Sequence, residues 1–338
     1  LYTIFETAKA CGVKPREYDS LHFQSWGGMY LWRSHYLWET VHDRVEQLGL
    51  DVSRYGTVEL GNGLVWDEYW HNRMHWFGSL LGRPGEGMPD FRLHNFGQIK
   101  AEWDKTGDRD LLAREPCLND PEWVDAMYTH LIEKAESVEQ FGGSHSYDTG
   151  DEMSLTHYTA YFDFCWSEHC LPQFREWLNA KYEDLGGLNA VWGTMHTTWD
   201  DVVPMTLEEA READNPAPWA DHRDFMDSTI ASFMDYVRTT VREVDPGARV
   251  GMSGTQSPRA GNGMDWWKMS QVYDHYISYN TAWSNEMRRS FADDTMVRQA
   301  PYYAGYWQSG RRLENRMWWC MLHDTIGIGA WTTHLFFY

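Results

Sequence analysis

DPEWVDAMYTHLIEKAESVEQFGGSHSYDTGDE, residues 120–152, is the stretch that sets the architecture. Asp120 stands where a helix N-cap belongs, Pro121 at the first helical position and Gly142-Gly143 at the exit, so a helix of about six turns is delimited at both ends. Ser144 to Tyr147 then reads as a short strand, with Asp151-Glu152 where that strand would finish. In a barrel of parallel strands each followed by a helix, catalytic groups project from the carboxyl ends of strands, so Glu152 is well placed for proton transfer. The same Glu would also suit the first turn of a following helix, where the macrodipole favours an acidic side chain.

Working outward, strand-like and helix-like segments alternate with no low-complexity linker and no internal repeat. Leu21 to Trp26 and Val52 to Leu60 read as strands, and between them Ser34 to Leu48 carries Leu37, Val41, Val45 and Leu48 on one helical face before Gly49. Residues 61–115 read as a long loop with interrupted helices and a strand near Phe91 to Phe96. Residues 172–182 form an amphipathic helix, Pro218 to Val244 contains a long one, and Asp245-Pro246-Gly247 turns into a short strand from Arg249 to Ser253. Further strands are expected at His275 to Tyr279, Val297 to Tyr303 and Ala330 to Phe337. This βα alternation, with long aromatic-rich connections, predicts a (β/α)8 TIM barrel in one domain over residues 1–338, itself possible as a segment of a longer chain. No glycine-rich nucleotide-binding motif occurs, so no cofactor is expected in catalysis.

Charge and composition narrow the partners. Fifty acidic residues against 29 basic ones give a net charge of -21, which repels phosphate backbones and anionic membrane surfaces. Neither nucleic acid nor membrane is an expected partner, and no apolar run approaches the ~20 residues that span a bilayer. Twenty Trp and 19 Tyr offer flat apolar faces with polar tips, suited both to packing helices on a barrel and to stacking sugars. Five cysteines, Cys11, Cys117, Cys165, Cys170 and Cys320, leave at least one outside any disulfide and the compartment undetermined.

The run CWSEHCLPQFREWLNAKYEDLGGLNAVWGT from Cys165, the WDDVVP segment after it, DFMDSTIASFMDYVRTTVREVDPGARV and DWWKMSQVYDHYISY together resemble the catalytic barrel of glycoside hydrolase family 42. The resemblance is firm from about Pro116 to Tyr279. It implies a retaining β-galactosidase-type enzyme of the (β/α)8 glycosidase clan, acting on a carbohydrate and assembling as a trimer. The family ends its fourth strand in Asn-Glu, the Glu being the acid/base and the Asn touching the sugar 2-hydroxyl. Glu152 matches the Glu, whereas Asp151 replaces the Asn. An anionic neighbour would favour a protonated Glu152, and an acceptor in place of an amide donor alters recognition of the 2-position.

The resemblance also implies a nucleophilic carboxylate at the end of the seventh barrel strand, yet VRQAPYYAGYW (residues 297–307) holds neither Asp nor Glu. Glu286, after the expected sixth strand, is the best substitute; its other reading is a helical residue paired with Arg288 or Arg289. Asp293 and Asp294 look like a solvated turn. Arg54, Tyr303, Tyr306, Trp307 and Trp331 are candidate sugar contacts at strand ends. Cys117, Cys165 and Cys170 match three of the four cysteines that hold a structural zinc in the family, with Ser167 at the remaining position and His169 beside it as an alternative ligand. The other reading is three inert thiols. Retaining hydrolysis, inverting hydrolysis and a non-catalytic carbohydrate-binding barrel all remain compatible with these residues.

Overall fold

The computed structural model describes residues 22–26, 52–53, 76–77, 80–139, 146–255, 258–278, 282–291 and 327–331, together with Arg311 and Asn315. Seven strands lie among them: β1 (His22–Trp26), β2 (Val52–Ser53), β3 (Trp76–Phe77), β4 (Ser146–Asp151), β5 (Val250–Thr255), β6 (His275–Ser278) and β7 (Gly327–Trp331). They form two sheets, in the orders β2-β1-β7 and β3-β4-β5-β6, and every described pairing is parallel. The last strand returns to the first, with His22 opposite Gly327 and Trp26 opposite Trp331. That closing pair, in a chain of parallel strands with helices between them, is the signature of a (β/α)8 barrel.

Among the described residues eight α-helices accompany the strands: α1 (Phe96–Thr106), α2 (Pro121–Glu139), α3 (Cys170–Tyr182), α4 (Leu185–Trp192), α5 (Leu207–Glu212), α6 (Ala217–Val244), α7 (Trp266–Val272) and α8 (Ala282–Phe291). Helix α2 starts as its sequence dictates, the Asp120 carboxylate accepting the backbone N–H of Glu122 at 3.0 Å. Its buried Trp123, Met127, Leu131 and Ala135 recur every four residues and form one stripe. The stripe meets α6, where Phe233 lies 5.4 Å from the Trp123 ring and 5.8 Å from Phe91. Asp221 joins three helices: its carboxylate accepts from Trp192 of α4 at 2.7 Å and from Tyr182 and Lys181 of α3 at 2.7 and 2.9 Å. Three donors offset the cost of burying that charge.

Several expectations shift. The segment expected as a strand near Phe91 to Phe96 is a series of turns that enters α1 at Phe96. Phe91 is buried because it stacks on Phe233 of α6, and Phe96, Ile99 and Trp103 follow a helical spacing toward the core. The strand in this region is β3 (Trp76–Phe77), and farther on Leu80 and Leu81 donate backbone N–H groups to Asp148 and Thr149 of β4 at 3.0 and 2.9 Å. The final strand runs over Gly327–Trp331, ahead of the expected Ala330 to Phe337, of which residues 332–337 lie outside the described residues. The expected helix at Ser34 to Leu48 and strand at Val297 to Tyr303 also lie outside them. Among the described residues no helix is long and apolar enough to cross a membrane.

Asp227 of α6 is a half-buried carboxyl lifted to about 7 by desolvation, with Asp265 and Asp224 adding to the rise against the pull of Lys268 and Arg223. A carboxyl raised on folding loses stability for the native state as pH climbs from the ordinary carboxylate range through 7. Asp227→Asn is therefore expected to be more stable than wild type by about 2 kcal/mol at pH 8 and indistinguishable from it at pH 4, read by urea denaturation. Lower stability of the variant at both pH values would contradict this.

Candidate active site

Parallel pairing puts the carboxyl ends of the strands on one rim, and β4 brings Asp151 and then Glu152 to it. Between β4 and β5 the register jumps from Asp148 opposite Gly251 to Asp151 opposite Ser253, so β4 carries one residue more than its neighbour over that interval. A matching irregularity separates Met252 and Thr255 on β5. Such bulges bend a strand and re-aim its side chains, and they recur beside active sites.

Glu152, directly after the bulge, has a left-handed backbone with φ 56°, a conformation that costs a residue with a Cβ about 1–2 kcal/mol. The surroundings hold it there. Gly254 at the end of β5, itself at φ 59°, comes so close that a Cβ on it would lie 2.3 Å from Asp151 Oδ1 and 2.7 Å from Glu152 Cγ. Just beyond, Leu155 donates its N–H to Asn262 O at 2.9 Å, tying the chain after Glu152 to the loop after β5. On the other side, Arg92 donates through Nη2 to the Asp151 carbonyl and approaches Met153 Sδ with Nε at 3.4 Å. Asp151 and Glu152 are both partly exposed.

The remaining sequence candidates are dispersed. Glu286 lies in the second turn of α8, not in a loop, because Ser284, Met287, Arg288 and Phe291 recur at helical spacing as its packed stripe. Glu286 is 43 % exposed and accepts from Arg289 Nη2 at 2.9 Å, the helical ion pair that was the other reading of this residue. Trp331 ends β7 opposite Trp26. Arg54, Tyr303, Tyr306 and Trp307 lie outside the described residues, as do Asp293 and Asp294. Arg92 and Gly254 were not singled out from the sequence. A Gly at a strand end is the only signal that pointed to Gly254, and nothing local marks Arg92.

A second cluster sits between the lead-in to α2 and the start of α3. The Sγ atoms of Cys117, Cys165 and Cys170 lie within 4.8 Å of one another, all buried. Donors surround them: Ser167 Oγ reaches Cys117 Sγ at 3.0 Å, Asn119 N and Nδ2 reach Cys117 and Cys170 at 3.4 Å each, and Arg114 N reaches Cys165 at 3.3 Å. Against burial, which raises it, hydrogen bonds from Cys117 and Cys170 hold the Cys165 thiol well below its ordinary value. The Arg114 guanidinium, brought down to about 10 by full burial, adds positive charge beside the sulfurs. Three converging sulfurs amid N–H and O–H donors fit a thiophilic ion such as zinc. His169 is not part of the convergence. Its Nε2 lies 3.8 Å from Asp120 Oδ1 on the exposed side, and Ser167 takes the place beside the sulfurs.

The family profile described as glycoside hydrolase 42, beta-galactosidase, matches residues 120–334. The chain belongs to glycoside hydrolase family 42. A Geobacillus kaustophilus β-galactosidase, BgaB, is 25% identical over 139 residues, which are 38% of this chain and 19% of that protein. The β-galactosidase of Bacillus circulans sp. alkalophilus superposes with a TM-score of 0.65 at 14% identity, covering 94% of this chain and 51% of that one. A family 42 exo-carrageenase from Bacteroides ovatus gives 0.56 at 12% identity over 98% and 52%. These structures share the barrel fold with this family 42 chain, which spans about half the length of the solved relatives and about a fifth of the curated one.

The approach at the β5 end yields a direct test. Gly254→Ala adds a methyl where Asp151 and Glu152 leave no room and forces an L side chain into a positive φ, so a loss of about 2 kcal/mol or more is expected in chemical denaturation. Wild-type stability in this variant would mean that β4 and β5 do not meet as described.

Proposed function

We propose that this chain is the catalytic barrel of a retaining glycosidase of the β-galactosidase type, with Glu152 as general acid and then general base. The observation that carries the reading is a Glu held in a left-handed turn at the end of β4, on the rim where family 42 barrels present chemistry. Glu152 protonates the departing glycosidic oxygen, a second carboxylate attacks the anomeric carbon, and Glu152 takes a proton from the water that releases the sugar. The second carboxylate in this reading is Glu286. Its exposed pair with Arg289 is of the kind worth about 0–1 kcal/mol, so that contact does not hold it back from substrate. Asp151, Arg54, Tyr303, Trp307 and Trp331 are the sugar contacts of the same reading, and a trimer is its expected assembly. The likeness to an exo-carrageenase within the family, with Asp151 in place of the amide, supports a β-linked polysaccharide fragment as the second substrate class.

The test is turnover of an aryl β-glycoside panel. One sugar, the galactoside first, is expected to be cleaved, with kcat lowered about 10²–10⁴-fold in Glu152→Gln. Glu286→Gln is expected to fall as far and to leave no covalent glycosyl-enzyme in mass spectra. Full activity in Glu286→Gln, with inversion of the anomeric centre read by NMR, would replace the retaining reading. Binding of sugar with no turnover in wild type would replace it with a carbohydrate-binding barrel.

The same reading gives Cys117, Cys165 and Cys170 a structural zinc, with Ser167 or a water beside it as the fourth ligand and no part in the chemistry. Support comes from the buried convergence of the three sulfurs among donors. Purified protein is expected to carry zinc by atomic emission, to lose it in Cys165→Ala, and to keep it in His169→Ala. A zinc-free protein whose three thiols all react with a thiol reagent on unfolding would show an inert cluster.

A further inference from the structure

We propose that Arg92 is a positioning residue for Glu152, clamping the turn that aims its carboxylate; the inference rests on the acid/base reading of Glu152. Arg92 belongs to the connection that follows β3, and its guanidinium reaches across to the rim of β4. There Nη2 donates to the carbonyl of Asp151, and Nε lies 3.4 Å from the sulfur of Met153. These two partners flank Glu152 on either side. A planar guanidinium with donors in a fixed fork therefore spans the residue in the left-handed conformation, which a single donor does not do.

Residue 152 needs such a span. A left-handed turn at a residue with a Cβ is unfavourable by itself and persists only when its surroundings over-determine it. Gly254 removes a steric obstacle on one side, and the Leu155 bond to Asn262 fixes the chain farther on. Between these, Arg92 is the side chain that grips both neighbours of Glu152. The clamp is anchored from behind: Arg92 N donates to Asp90 Oδ1 at 2.9 Å, and the adjacent Phe91 is buried, its carbonyl accepting from Arg114 Nη2 at 2.6 Å. The guanidinium thus approaches from a fixed backbone although the Arg92 side of the turn faces solvent.

The clamp acts on orientation, so it enters kcat and leaves binding largely alone. Arg92→Met in the full chain is expected to lower kcat about 10–100-fold on the best aryl glycoside with KM within about twofold, and Arg92→Lys to recover part of the loss. Hydrogen exchange followed by mass spectrometry reads the same device without turnover. The peptide covering residues 150–156 is expected to exchange at least about tenfold faster in Arg92→Met, with peptides of α2 and α6 unchanged. Unchanged exchange in 150–156 overturns the proposal, whatever the kinetics. Collapse of Glu152→Gln beside wild-type kcat in Arg92→Met overturns the clamp and leaves the acid/base reading standing. Full activity in Glu152→Gln beside faster exchange in Arg92→Met removes the acid/base reading and shows the clamp to be purely structural.

Discussion

The buried guanidinium of Arg114 is the constraint on which the described part of the rim depends. It donates to the carbonyls of Phe91, Pro116 and Leu155, which belong to three different segments. Taking a cation fully out of water costs several kcal/mol unless it is paired and hydrogen-bonded. Arg114 has three carbonyls, the ring of Phe91 at 4.7 Å beneath it and three sulfurs close by. Each partner thereby becomes a fixed point. Phe91 sets where Arg92 begins, Pro116 leads into Cys117, and Leu155 fixes the chain three residues after Glu152.

This arrangement links the cysteine cluster to the rim through Arg114. The Cys165 thiol, whose pKa is lowered, lies beside the buried cation, while those of Cys117 and Cys170 are raised, and the cation holds segments before and after the turn at Glu152. Were a divalent metal held by the three sulfurs as thiolates, the thiolates would outweigh its charge and leave a net negative charge beside the guanidinium. The cluster and the segments beside Glu152 are thus joined through the carbonyls that Arg114 engages. Ser167 in the fourth position leaves one anionic ligand fewer than a four-cysteine set, so a bound divalent ion together with three thiolates carries one negative charge rather than two beside the guanidinium.

Much of the fold was legible in the sequence because its signals are local. Asp120, Pro121 and the apolar stripe of Trp123, Met127, Leu131 and Ala135 define α2 from within a few residues, and the placement of Glu152 at a strand end follows from the helix before it. Strands β1, β5 and β6 were legible in the same way. Phe91 to Phe96 misled because Phe91 is apolar for the sake of Phe233, more than a hundred residues away, and a short apolar run does not reveal whether its partner is a sheet or a helix. Glu286 was legible as to its alternatives but not between them, since helical spacing of Ser284, Arg288 and Phe291 becomes evidence only once the first two are seen to be buried and the third packed on the core. The family resemblance supplied the roles of Glu152 and the cysteines; spacing alone left both open.

What no local signal encodes is how the end of β4 is held. Arg92 and Gly254 lie 60 residues before and 102 after Glu152 in the chain, and each reads alone as an ordinary surface arginine and an ordinary strand-end glycine. They matter because parallel neighbours in a barrel are separated by whole helices, so the residues that shape one strand end come from the connections of the strands on either side. The bulges at β4–β5 and β5–β6 have the same origin: an added residue shows only once its opposite strand is known. A carboxylate at a strand end can therefore be read from one strand, whereas the geometry that holds it is a property of three.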